Sequence, residues 1–471
     1  MFTLADILES VSGKRMDNAS AIFSEAVVNS RQAIPASLFV AIPGDKADGH
    51  EYLADAFKHG ARAAFIQHEV DASYPVVDLR SPLDHPTFPE SPFCLRVDDS
   101  LKTLQDLAKF KRSTLDLRVI GITGSVGKST TKELVAEVMG QRYHTLKNLG
   151  NLNNEIGLPL TLLRLGKGYE CAVLEMGFYK PGEITQLCDI AKPQVGIVTN
   201  VGTVHAERAG SQEIIAKGKT ELVQALPPAP MGTAILNFDD PYVKAMAQAT
   251  SASVFSYGLD PQCDLWADNI EGLGLSGIGL RLHYQQNTSS LRVPLIGRHS
   301  VHTILRAVAA GLTEGLSWGE IQLGLTHAAS QLRLVAVHTR QGAMLLDDTY
   351  NASPESMLAA LNLLSELNGR KIAVLGGMFE LGQYEKQGHE LIGVRAAEIV
   401  DRLITFGPHA KMIAGAALQA GLPASAMSHH EEMQQVVDEL QNTLKEGDVV
   451  LVKGSHGLRM DHIVSALEES V

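Results

Sequence analysis

Lys128 stands after Gly127 and before Ser129 and Thr130, in a short stretch that also contains Thr123, Gly124, Ser125 and Val126. Glycines in such a place let backbone N–H groups wrap a polyphosphate at a helix N-terminus, where the dipole is positive. The Lys128 ammonium then reaches the β- and γ-phosphates, and the Ser129 hydroxyl holds Mg²⁺. The common phosphate-loop spacing puts its first glycine at position 122. Ile122 stands there, bracketed by Gly121 and Gly124, so the loop is a variant. A chance glycine-rich turn is the competing reading, and the flanks outweigh it. An apolar run at 117–120 precedes the loop, and Leu134, Val135, Val138 and Met139 share one side of the helix that follows.

Three more residues are of the types a magnesium–phosphate centre uses. Glu175 lies in an apolar run at 171–176, and His205 follows another at 195–200. Taken singly, each is more readily a cap, a loop residue or a satisfied turn side chain. At the same strand ends as the loop, a carboxylate and an imidazole make a Mg²⁺ shell. Lys219 belongs to a helical pattern that starts after Ser211 and stops before Pro227 and Pro228. At about 100° per residue, Lys217, Thr220, Glu221 and Gln224 share the wet side, whereas Lys219 falls on the stripe of Ile215, Leu222 and Leu226. Two readings stay open: a methylene stem carrying its amine out to water, or a desolvated amine of lowered pKa available for chemistry.

The elements that must position these residues divide the 471-residue chain into three units. Residues 1–112 show short strands and helices, with a β-rich run at 37–42, a helix at 101–110 and a proline-rich loop at 75–92. Residues 113–328 carry strands at 117–123, 171–176, 195–200 and 233–237 between helical patterns, so a parallel sheet is expected with ligands at its carboxyl edge. Alternating, glycine-rich runs at 266–295 predict a small antiparallel appendage, followed by a helix at 302–311. Residues 329–471 repeat the doubly wound pattern, with strands at 343–348, 371–376, 402–406 and 448–453. Asp348, Tyr350, Asn351, Lys453 and Ser455 fall at its strand ends.

Composition excludes several classes. A net charge of −13 argues against binding nucleic acid or anionic lipid, which takes clustered Lys and Arg. The four cysteines, Cys94, Cys171, Cys188 and Cys263, lack metal-ligand spacing and read as reduced packing residues. The N-terminal residues read as an amphipathic helix rather than a signal peptide, and no apolar run reaches bilayer length. A cytoplasmic protein is expected.

Together the motifs resemble the Mur ligase family over essentially the whole chain. The resemblance is carried by Ser30 and Arg31, by Asp48, Gly49 and His50, by the loop at 123–129, and by Asn153 and Asn154 within 151–159. It continues through Glu175 and Gly177, Asn200 to His205, Lys217 to Glu221, the Asp347–Ala352 stretch, and Lys453 to Ser455. The 347–352 stretch is similar to the branch that adds D-alanyl-D-alanine. The resemblance implies an α/β fold of three domains: a small α/β UDP-binding domain, a central P-loop ATPase domain with a parallel sheet, and a Rossmann-like C-terminal domain that closes on nucleotide and takes the incoming dipeptide. The implied activity is an ATP-dependent amide ligase joining D-alanyl-D-alanine to UDP-N-acetylmuramoyl-tripeptide through an acyl phosphate, in peptidoglycan precursor synthesis.

By the same resemblance, Lys128, Glu175, His205 and Lys219 are catalytic. Ser129 and Glu175 serve one Mg²⁺, and His205 serves a second with Lys219 carbamylated by CO₂. Arg333, Asp348, Tyr350 and Asn351 contact the nucleotide; Ser30, Arg31, Asp48, Gly49 and His50 hold the UDP end; Asn153 and Asn154 line the substrate cleft. Ser300 and Thr303 replace the family's usual asparagines near the adenine and Gln331 and Leu332 its usual Pro-Gly, which implies a looser base preference; Gly377 stands where the family commonly has Asp. A monomer is expected. The competing functions are a relative adding a single amino acid, and a non-catalytic protein that binds nucleotide and UDP-sugar.

Overall fold

A computed structural model of the chain describes residues 1–44, 47–70, 73–81, 88–203, 206–328 and 335–468. It divides into two compact units, one of residues 1–121, 143–177 and 182–195, the other of 122–142, 178–181 and 196–471.

In the first unit a five-stranded sheet runs in the order Ala26–Val27, Leu38–Val40, Ala63–Ile66, Phe93–Arg96, Val76–Asp78, every pair parallel. Leu38–Val40 and Ala63–Ile66 are buried at every position, the mark of strands covered on both faces. The proline-rich stretch expected to be a loop contains Val76–Asp78, which corrects that expectation. Pro75 enters the pairing through its carbonyl, which accepts the Cys94 N–H at 2.8 Å, so its missing N–H costs nothing there. The helix Ser100–Ser113 is capped by Asp99, and Arg112 in its last turn is buried. Its guanidinium donates to the Ala191 and Leu117 carbonyls at 3.0 and 2.8 Å. Thr145–Lys147 and Cys171–Glu175 pair in parallel, leaving Glu175 at a strand's carboxyl end.

Two strands, Arg118–Thr123 and Val195–Val198, pass from the first unit into the second. There Thr233–Asn237 pairs in parallel with Ser253–Gly258, and Ser253–Gly258 in parallel with Leu265–Gly272. Ile278–Tyr284 and Asn287–Val293 continue antiparallel. The expected appendage is therefore an antiparallel continuation of the sheet, joined through the unforeseen strand Ser253–Gly258. The C-terminal sheet has six strands in the order Val335–His338, Met344–Asp348, Val449–Lys453, Lys371–Gly376, Arg402–Phe406, Met427–His430. Its first pair is antiparallel and the rest are parallel. Separate apolar clusters cover its faces, one around Met357, Leu361 and Ile392 and the other around Val436, Leu440 and Ile463. The strand ends carrying Asp348 and Lys453 are thus held from both sides.

Among the described residues no helix is long and apolar enough to cross a membrane.

Candidate active site

The strand Arg118–Thr123 ends in a turn whose backbone only glycine accommodates. Gly124 has φ 149°, and a Cβ there would stand 1.8 Å from Thr199 Oγ1. Gly127 has φ 80° and caps the helix Lys128–Met139, which places Lys128, Ser129 and Thr130 in its first turn. First-turn N–H groups have no acceptor within their own helix, and the dipole end there is positive.

The turn is fixed by the chain at 199–202. Thr199 N–H donates to Thr123 O and Ser125 N–H to Asn200 O, at 2.9 and 3.0 Å. The Asn200 amide spans the loop, accepting from Val126 N–H at 2.9 Å and donating to Val126 O at 3.0 Å. Thr199 Oγ1 donates to the same carbonyl at 2.7 Å, and Gly202 N–H donates to Ser125 Oγ at 2.8 Å. Lys128 Nζ reaches back to Gly124 O and Ser125 O at 2.8 and 3.1 Å, so its charge sits on the loop.

Lys219 resolves the choice left open by its helical position. In the helix Gln212–Gln224, capped by Ser211, it is 1% exposed beside the fully buried Ile215 and Leu222. Its Nζ lies 4.9 Å from the centroid of the Phe178 ring. Desolvation first, and then the Lys128 charge, push the amine well below the ordinary lysine range. The side chain does not snorkel. Gly218 makes this possible, since a Cβ there would stand 1.9 Å from Phe178 Cε2.

Glu175 is 2% exposed. Its Oε1 accepts from Asn153 Nδ2 at 2.8 Å, and its backbone exchanges hydrogen bonds with the buried Asn148 amide at 2.9 and 3.1 Å. Asn154 Oδ1 accepts from Gly157 N–H at 2.9 Å, at the start of the helix Gly157–Leu163. Asn153 is thus spent on Glu175 and Asn154 on a helix end. A buried carboxylate at a strand end offers the hard oxygen that Mg²⁺ takes. His205 and Arg333 lie outside the described residues.

The C-terminal strand ends hold an ion pair whose lysine is buried and whose carboxylate is partly exposed. Lys453 Nζ is 2.8 Å from Asp348 Oδ2 and donates to Asn351 O at 2.8 Å. Burial pushes the Asp348 carboxyl up, against the pull of Lys453. Tyr350 is exposed, its ring edge-on to His456 at 6.1 Å. The His299 imidazole is pushed down by desolvation and then by the Lys453 charge. Ser300 Oγ donates to Ile296 O at 2.8 Å, and Thr303 is buried. Glu355, in the first turn of the helix Pro354–Glu366, accepts from Thr203 N–H at 3.4 Å, next to the segment that braces the loop.

In the N-terminal sheet unit, Ser30 Oγ donates to Asp55 Oδ2 at 2.7 Å, and Arg31 is exposed. Asp48 caps the turn containing Gly49 and His50. Chiefly the His50 backbone N–H, then its ring, hold the Asp48 carboxyl far below the usual range. Asp48, His50 and His68 offer atoms within 4.8 Å of one another, a spacing that could suit a metal. The Gln67 N–H, however, donates to His50 Nε2 at 2.9 Å. The proton is therefore on Nδ1, where it bonds Asp48 at 2.6 Å. Those donors brace the turn and leave no lone pair on His50 for an ion.

Sequence reasoning did not single out Phe178, Gly218, Thr199, Arg306 or Tyr257. A glycine inside a helix, at a cost of about 1 kcal/mol against alanine, was the available signal for Gly218.

Family models match three segments: "Mur ligase family, catalytic domain" at 26–112, "Mur ligase middle domain" at 122–311, and "Mur ligase, glutamate ligase domain" at 332–456. The UDP-N-acetylmuramoyl-tripeptide--D-alanyl-D-alanine ligase of Bacillus subtilis (strain 168) is 33% identical over 474 residues, covering 99% of this chain and 98% of the relative. A crystal structure of MurF from Acinetobacter baumannii is similar with a TM-score of 0.85 and 28% identity, over 99% of each chain. MurF ligase from Thermotoga maritima, solved in complex with ADP, is similar with a TM-score of 0.78 and 27% identity, over 94% of this chain and 96% of that one. Matched in three segments and nearly end to end, this chain belongs to the Mur ligase family.

Proposed function

We propose that this chain is an ATP-dependent ligase that joins D-alanyl-D-alanine to UDP-N-acetylmuramoyl-tripeptide, a cytoplasmic peptide-adding step of peptidoglycan precursor synthesis. The observation that carries the reading is the near end-to-end similarity to the Bacillus subtilis ligase of that name. The braced phosphate loop supports it, with its Lys128 charge and the buried Lys219 amine in the same compact unit.

A carboxylate is a poor electrophile and needs activation. The tripeptide carboxylate attacks the γ-phosphorus of ATP, the bond to the bridging oxygen breaks, and ADP leaves. The dipeptide amine then attacks the acyl-phosphate carbonyl, loses a proton and expels phosphate. Negative charge spreads over phosphoryl oxygens, so loop N–H groups and Lys128 do most of the stabilising. Mg²⁺, when bound, neutralises phosphate charge. Ser129 and Glu175 would hold one ion, and His205 with a carbamylated Lys219 a second. Only a neutral amine reacts with CO₂, and burial shifts Lys219 toward that form.

The remaining assignments belong to the same proposal. Residues 1–112 bind the UDP end through Ser30, Arg31, Asp48, Gly49 and His50. Residues 113–328 bind ATP, and Asn153 and Asn154 border the tripeptide. Residues 329–471 supply Arg333, Asp348, Tyr350 and Asn351 to the nucleotide. The protein acts as a monomer. An ADP-release assay over UDP-muramoyl peptides and acceptors tests the reading. Turnover must require the tripeptide and D-alanyl-D-alanine together; turnover with a single amino acid in place of the dipeptide would reassign the branch.

A further inference from the structure

The helix Val301–Thr313 is apolar where it is buried, with Ile304, Leu305, Ala307 and Val308 fully enclosed, yet Arg306 in its middle is only 4% exposed. Its Nε donates to the Tyr257 hydroxyl at 2.8 Å, and its Nη1 to the Thr131 hydroxyl at 2.6 Å. Both partners are neutral, the Tyr257 phenol being pushed up by burial. No described carboxylate forms an ion pair with this guanidinium.

On its Thr131 side it faces the positive end of the loop helix, while Asp239 and Asp240 act on its other partner, Tyr257, from within electrostatic reach. Nη1 is 3.3 Å from the place a Cβ on Gly127 would occupy, and Gly127 caps the loop helix whose first residue is Lys128. Thr131, which takes the Nη1 hydrogen bond, is one turn further along. A cation buried against a helix N-terminus is unfavourable unless an anion joins it there. Core packing alone does not call for it, since an aliphatic residue would complete the stripe.

We propose that Arg306 is a positioning residue of the phosphate loop: a fixed buried charge that raises the loop's positive field and holds its first helical turn through Thr131, so that a polyphosphate is bound by the number of its charges. The inference rests on the loop being the ATP phosphate site. A field effect scales with ligand charge, whereas a packing defect does not.

The test is calorimetric affinity for ADP and for AMP in the whole protein, with Arg306→Gln, which keeps amide donors without charge, and Arg306→Lys, which keeps charge. Arg306→Gln is expected to weaken ADP about tenfold and AMP less than about threefold, with KM for ATP rising more than kcat falls. Arg306→Lys is expected to restore ADP affinity to within about threefold of wild type. Equal losses for ADP and AMP, unchanged ADP affinity in Arg306→Gln, or a lysine variant as weak as the glutamine one would each overturn the proposal. Arg306→Met is the second neutral variant, and failure of both neutral variants to fold would assign Arg306 to the core. A wild-type protein that binds no ADP would instead remove the loop assignment itself.

Discussion

Replacing Gly218 by alanine sets helix propensity against packing, and the structure decides the sign. The new methyl would stand 1.9 Å from Phe178 Cε2, 2.5 Å from Cζ and 2.8 Å from Cδ2. Restoring van der Waals separation from the nearest atom displaces the ring by about 1.5 Å. Phe178 is buried and has no free side to retreat to, so the overpacking costs about 1–3 kcal/mol. Alanine recovers about 1 kcal/mol of helix propensity. The net is a destabilisation of about 0–2 kcal/mol, with the ring moved off the Lys219 amine. Gly415, inside the helix Lys411–Gln419 with nothing within 4 Å of its Cβ position, is the control, and Gly415→Ala should stabilise by about 0.5–1 kcal/mol. The assay is urea unfolding, comparing midpoints for the transition that ADP shifts, together with ligase turnover. Gly218→Ala is expected to lower the midpoint and reduce turnover about tenfold. A Gly218→Ala protein stabilised as much as the control, with full turnover, would refute the packing argument.

Three other outcomes follow from the same geometry. The folded-state pKa of Lys219 lies below its unfolded value. The unfolded chain therefore binds the extra proton between the two, and the cost of burying the amine grows as pH falls from 10.5 toward the folded pKa. In CO₂-free buffer, Lys219→Met should remove a stability slope of up to about 1.4 kcal/mol per pH unit in that window, and parallel stability–pH curves for variant and wild type would contradict it. Gly124→Ala drives a methyl into Thr199 Oγ1 at a backbone angle only glycine tolerates, and should weaken ADP by more than about 30-fold; calorimetry giving affinity within threefold would count against the loop geometry. Lys453→Met takes the cation from a partly exposed Asp348 carboxyl and should cost about 1–2 kcal/mol, part of it recovered by adding Asp348→Asn. A double variant no more stable than Lys453→Met alone would speak against that pairing.

The parts of the site that local sequence determines were legible in advance. The phosphate loop announces itself because a buried strand, glycines that must adopt unusual φ and a helix start are neighbours in the chain. Lys219 could be placed on an apolar stripe by periodicity alone, but its surroundings could not, because Phe178 arrives from about forty residues away. The Thr199–Asn200 brace is likewise a long-range contact made by two ordinary polar residues. Arg306 had a local signal, a cation within an apolar helical run, and its meaning came only from Thr131 and Tyr257. In the fold, the long apolar strands of the C-terminal sheet were readable, with Lys371–Gly376 and Arg402–Phe406 at the expected bounds. Short or half-exposed strands were not. Val76–Asp78 hides among prolines, Met427–His430 is polar, and Ser253–Gly258 begins with two exposed residues.

The central claim is that ATP's terminal phosphoryl group, held in the loop at 124–130, passes to the tripeptide carboxylate before the amide forms. UDP-N-acetylmuramoyl-tripeptide labelled with ¹⁸O in that carboxylate, turned over with ATP, Mg²⁺ and D-alanyl-D-alanine, tests it directly by the mass of the released phosphate. The predicted result is one ¹⁸O atom in each phosphate, matched mole for mole by dipeptide-extended product. Unlabelled phosphate, or phosphate released without the dipeptide being joined, would contradict the account.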